Sequence, residues 1–109
     1  MKSKLFVLFF LLSFILSAVA SADVIISEMC DPRNDYANNR FIEIYNTGAD
    51  AVDLSGWSVV AIGNEAPIFT WNLSGVINSG EALICGDDGA TNFTANFTED
   101  GGWSSNNGT

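Results

Sequence analysis

The chain has 109 residues, enough for one domain, and its 13 acids against 4 basic residues give a formal charge of −9. It contains no histidine, which excludes Ser-His-Asp triads, Cys-His pairs and most transition-metal sites. So large an acidic excess repels phosphate backbones, and direct nucleic-acid binding is not expected.

Residues 1–22 read as a secretory signal peptide. Lys2 and Lys4 form a positive start, residues 5–19 an apolar run, and Ala20, Ser21 and Ala22 a small-residue cleavage site. Cleavage after Ala22 would leave Asp23 as the mature N-terminus, with Arg33 and Arg40 as the only cations of the exported domain, residues 23–109. The alternative is an uncleaved anchor, because residues 5–22 carry no charge and could just span a bilayer. A membrane would then be met only through this segment. A lipoprotein is not indicated, since Cys30 lies well past the apolar run. The expected location is secreted or cell-surface.

The exported part opens with Val24, Ile25 and Ile26, a β-branched run expected to be a first strand covered on both faces and continuing through Ser27, Glu28 and Met29. Residues 31–39 follow as a loop, with Pro32 and several Asn and Asp residues. A second strand is expected over residues 40–45. Asn46, Thr47 and Gly48 then turn the chain, and a third strand over 51–54 alternates Val52 and Leu54 with Asp53. Ser55 and Gly56 turn it again into a fourth strand over 57–62, with Trp57, Val59 and Ala61 on one face.

These central residues carry a resemblance. Phe41, Ile42, Glu43, Ile44, Tyr45 and Asn46, then Gly48, then Val52, Asp53, Leu54, Ser55, Gly56 and Trp57 resemble the signature of the lamin tail domain family, FIELYN-x-G followed by VDLSGW. Arg40 departs from it, standing where family members often carry an acid or Trp. The resemblance implies an immunoglobulin-like β-sandwich of the prokaryotic secreted type. Versions of that type accompany extracellular nucleases and other hydrolases. Nuclear lamins carry the same fold after a coiled coil, a role that does not transfer to a chain with a signal peptide and no heptads.

Residues 63–67 are expected as a loop and 68–73 as a fifth strand, with Phe69, Trp71 and Leu73 on one face. An aromatic face of this kind is core when covered and a carbohydrate platform when bare; core is the expectation here. A sixth strand is expected over 82–85, and six short strands at regular spacing suit a sandwich. After Gly86 the pattern fades, with Phe93, Phe97 and Trp103 as scattered anchors and no closing strand. The sandwich is therefore expected to be incomplete at its C-terminal end, with an open edge.

Few groups could carry chemistry. The exported part has no Lys for Schiff-base formation, and no phosphate-binding glycine loop appears. Glu43 has neither a partner base nor a metal and is expected to be structural. Asp31 and Asp35 in one loop, and Asp87 and Asp88 in another, offer oxygen ligands for calcium, with Asn34 and Asn92 beside them. Neither loop has EF-hand spacing, and polar turns explain them as well. Cys30 and Cys85 could form a disulfide in an oxidising compartment or remain two buried thiols; spacing leaves both open. Asn72, Asn92, Asn96 and Asn107 begin N-glycosylation sequons.

The expectation is a non-catalytic recognition or tethering module, without cofactor, of a larger secreted or cell-surface protein. Its partner would be a protein or cell-envelope component, with carbohydrate possible through Trp71 and Phe69. The enzymatic alternative is an accessory to a nuclease or hydrolase whose catalytic part lies beyond residue 109.

Overall fold

Strand-forming residues alternate along most of the chain, and the computed structural model, which describes residues 23–34 and 38–99, turns them into eight strands. These are β1 (Val24–Cys30), β2 (Phe41–Asn46), β3 (Val52–Asp53), β4 (Ser58–Gly63), β5 (Ala66–Asn72), β6 (Val76–Ile77), β7 (Ala82–Asp87) and β8 (Phe97–Glu99). No helix occurs among the described residues. The signal peptide, Asp35 and Trp103 lie outside them. The architecture is all-β, an immunoglobulin-like sandwich.

One layer is a four-stranded sheet in the order β1-β2-β7-β8, antiparallel except for the parallel β7–β8 pair. The β4–β5 hairpin faces it, and the short β3–β6 ribbon closes one end. Strand β2 shows why the layers meet. Ile42, Ile44 and Asn46 are buried while Phe41, Glu43 and Tyr45 stay half-buried on the outer face, as a period of two requires. Ile42 and Ile44 pack with Leu54, Val59, Trp71, Leu73, Ile77 and Cys85 to form the core.

The polar member of the inward row is Asn46, which is fully buried. Its Nδ2 donates to the carbonyls of Asp50 (2.8 Å) and Ile77 (3.1 Å), and its Oδ1 accepts from Gly48 N–H at 2.9 Å. Its backbone N–H donates to Glu81 O, and its carbonyl accepts from Gly80 N–H. One residue thus ties β2 to the 47–50 turn, to β6 and to the approach to β7. The sequence reads Asn46 as a strand breaker; it is instead the last inward position of the strand.

Other differences have local causes. The region 63–67 is not a loop but a two-residue turn, with Asn64 and Glu65 both at positive φ (51° and 65°), the conformation that matches hairpin twist. Pro67 lies within β5, beside the register shift that leaves Ile68 unpaired; a bulge is one of the few strand positions that tolerate a missing N–H. The two-residue strand β6 and the three-residue strand β8 are too short to leave a periodic signal. Gly86 of β7 is held by close approach: a Cβ there would meet the Phe93 ring at 2.6 Å, and its carbonyl accepts from Trp71 Nε1 at 3.1 Å. Phe93 in turn meets Phe41 edge-on at 5.0 Å.

The largest departure is β1. Its β-branched run suggests cover on both faces, but the strand is the outer edge of its sheet, and Ile26 and Met29 are 63% and 69% exposed. Ile26 opposes Ile44, so it sits on the inward side, yet the β4–β5 hairpin does not extend over it.

Asn46→Ala would strand the buried Ile77 carbonyl and the part-buried Asp50 carbonyl and Gly48 N–H. It is expected to cost about 3 kcal/mol by urea unfolding, against under about 0.5 kcal/mol for the exposed Asn72→Ala.

Candidate functional site

The exposed inner side of β1 borders a groove. Its floor is core: Ile44 from β2, Val59 from β4, and Leu73 just after β5. Val24, Ile25 and Ile26 line one wall, and Trp57, Ser58 and Val60 the other. The volume is about 220 Å³, and the lining is predominantly apolar. A groove with an exposed apolar lining is a candidate interaction site.

Trp57 is central to this site, and it overturns a sequence expectation. Period two places it beside Val59 and Ala61 in the core, but it is 47% exposed. Gly56 at φ +82° turns the chain just before it, and β4 begins only at Ser58, so Trp57 is still part of the turn. Its backbone is anchored: its N–H donates to Leu54 O, and its carbonyl accepts from Leu73 N–H. The ring therefore stands on a fixed base at the groove wall. Trp71 does the opposite. It is 1% exposed, with its indole N–H on Gly86 O, so it is core and offers no platform to a sugar; Phe69 is half-buried beside it.

The remaining motif residues are structural. Glu43 accepts from Ser27 Oγ at 2.7 Å across the β1–β2 pair, in keeping with a structural acid. Asp53 caps the following turn, its Oδ1 accepting from Ser55 N–H at 2.9 Å. The Ser55 hydroxyl, then its N–H, hold that carboxyl below its ordinary pKa. Leu54 is fully buried, while Val52 packs on the core from β3.

Among the described residues, the calcium candidates Asp31, Asp87 and Asp88 are engaged separately. Asp31 pairs with Arg40 Nε at 2.6 Å, and Asp88 is exposed. Asp87 is buried and accepts from Gly89 N–H at 2.6 Å, which closes its turn. Asn39 holds the next residues, its Oδ1 accepting from the N–H groups of Thr91 and Asn92, both at 3.0 Å. Among the described residues, no three His, Cys, Asp or Glu side chains could share a metal ion.

The disulfide option fails on topology. β2 lies between β1 and β7, so Cys30 and Cys85 are two strand spacings apart, roughly 9–10 Å, beyond the Cα reach of a disulfide. They also face opposite ways: Cys30 opposes Phe41 on the outer face, while Cys85 opposes Ile42 in the core. Burial pushes the Cys85 thiol up to about 11.

Of the sequons, Asn72 and Asn92 are exposed, and Asn107 lies outside the described residues. The Asn96 Oδ1 accepts from Ile84 N–H at 2.8 Å and its N–H donates to Ile84 O at 2.8 Å, so this side chain is occupied in holding the approach to β8.

No helix among the described residues is long and apolar enough to cross a membrane. A family model described as Lamin Tail Domain matches residues 17–109. The chain belongs to the lamin tail domain family. No curated protein sequence and no solved structure matches it. Lamin tail domains are immunoglobulin-like β-sandwich modules that are not themselves catalytic, and the structure of this member agrees in architecture.

Three measurements check the placements. Trp57→Ala should cost under about 1 kcal/mol in unfolding experiments and Trp71→Ala about 3–5 kcal/mol. At pH 8 a thiol reagent should label Cys30 rapidly in the native protein and Cys85 only after denaturation. Below about pH 9 the Cys85 thiol is protonated whether the chain is folded or not. Between about 9 and 11 only the unfolded chain ionises it, so stability should fall as pH rises through that window, and Cys85→Ala should flatten the fall.

Proposed function

We propose that this lamin tail domain is a non-catalytic recognition or tethering module of a larger secreted or cell-surface protein, and that the groove between β1 and β4 is its contact site. The observation that supports this reading is the exposed Trp57 ring on a rigidly bonded backbone beside an apolar groove. Aromatic side chains so placed contribute much of the energy in protein contacts, because a large area is buried with little loss of rotamer freedom. The signal-peptide pattern of residues 1–22 supports an exported setting, and the acidic composition suits a protein that stays soluble there. The partner is a protein or another cell-envelope component.

The test is retention of the labelled full chain on the cell-envelope and secreted-protein fractions of its own host. Saturable retention is expected, with a loss of about tenfold or more on Trp57→Ala, a substitution that leaves the fold intact. Retention unchanged in Trp57→Ala would move the contact site elsewhere on the module. Turnover of nucleic-acid or glycan substrates by the purified chain would overturn the non-catalytic reading.

A further inference from the structure

The outer edge of β1 has a specific hydrogen-bonding pattern. Thr47 N–H donates to Asp23 O, which makes Asp23 and Thr47 a hydrogen-bonded pair of the β1–β2 ladder. Such pairs alternate in an antiparallel ladder, so Ile25 and Tyr45 form the next one. The N–H and C=O groups of Val24 and Ile26 are then directed away from β2, along the open side of the sheet. After Ile26 the register shifts, and Ser27 and Glu28 together oppose Glu43. This bulge ends the regular part of the edge.

The two faces of this edge differ in chemistry. On the inward side, Val24 and Ile26 stand over the apolar groove with Trp57 and Val60 across from them. On the outward side, the exposed Ile25 lies opposite Tyr45, and just past the bulge Glu28 lies opposite Glu43, a like-charge pair in the strand register. Ser27 Oγ reaches Glu43, but the only cations among the described residues are Arg33 and Arg40, and Arg40 is engaged with Asp31. A strand added at β1 would place alternate side chains in the groove and the others over Ile25 and, past the bulge, beside the two carboxylates.

Resting on the recognition reading above, we infer that β1 accepts an extended segment of a cationic partner protein as an additional strand, with apolar residues in the groove and Lys or Arg beside Glu28 and Glu43. Main-chain bonds to Val24 and Ile26 would give affinity, and the alternation would give specificity. Charge complementarity decides among occupants. A second copy of this chain would bring its own acidic excess to the same edge, whereas a basic segment neutralises a pair that is otherwise repulsive.

The test uses the full chain and a labelled probe peptide of about ten residues that alternates Val with Lys, followed by fluorescence anisotropy and amide hydrogen exchange. Two analogues serve as controls: one with Glu for each Lys, and one N-methylated along a single edge with its side chains unchanged. The Lys probe should bind about tenfold or more tighter than either analogue, weaken with added salt, and lose about tenfold on Glu28→Lys. The Val24 and Ile26 amides should gain exchange protection on binding. Equal binding of the N-methylated peptide, or protection elsewhere, would overturn the inference. So would concentration-dependent dimerisation that protects Val24 and Ile26 without probe, or a variant ending at Glu99 that binds the probe tighter because residues 100–109 had filled the edge. Trp57-dependent retention on host fractions without probe binding would sink this strand-addition inference alone; loss of both would sink the recognition reading too.

Discussion

A single buried amide holds the two ends of this sandwich in register. Asn46 occupies an inward position where an apolar residue would ordinarily sit, and a polar group there is tolerated only because its donors and acceptor are matched. The partners are backbone groups of the 47–50 turn and of β6, segments too short to be fixed by a sheet ladder of their own. Asn46 thereby sets where the β3–β6 ribbon stands, and with it Leu54 and Ile77, both fully buried. Through Leu54 the constraint reaches Trp57, whose N–H is bonded to the Leu54 carbonyl. Hydrogen bonds thus link the Trp57 wall of the groove to an amide that stands opposite Val24 of the other wall.

The groove exists because the layers are unequal. Four strands face a hairpin of two, with a short ribbon at one end, so among the described residues none covers the inward side of Ile26 on the outermost strand. The same arrangement protects the other side of the sheet, where Phe93 and Phe41 close over Gly86 and β8 covers β7. Apolar exposure therefore gathers mainly at β1, β4 and Trp57, with Val76 of β6 apart from them. The bulge in β1 shortens the pairing surface on that side, a feature that limits uncontrolled edge-to-edge association while leaving Val24 to Ile26 regular.

Much of the fold was legible where the pattern was long. The period of two in residues 41–46 gave the strand and its buried face, and the Phe69, Trp71, Leu73 row gave the core correctly for Trp71 and Leu73. The candidate site was less legible. Trp57 obeys the alternation of β4 on paper, but that alternation applies only to residues inside the ladder, and the strand starts one residue later. The run at 24–26 has the composition of a doubly covered strand, and composition does not record which strand is outermost. Cys30 and Cys85 looked pairable because both fall in the exported part; the intervening β2 is visible only once strand order is known. A signal for Trp57 was available in Gly56, whose turn geometry separates the ring from the strand that follows.

The sequence alone determined the class of the molecule: an acidic chain without histidine, built of short alternating strands around the 41–57 signature, and a member of the lamin tail domain family. Those properties depend on residue type and near-neighbour spacing, which local sterics and hydrophobic periodicity translate directly into strands and turns. Tertiary structure decided the rest: that β1 is an edge, that the cysteines face apart, that Asn46 is buried and that Trp57 is not. Each of these depends on which segments, distant along the chain, end up side by side. Exposure belongs to the packed neighbourhood of a residue and not to the residue itself.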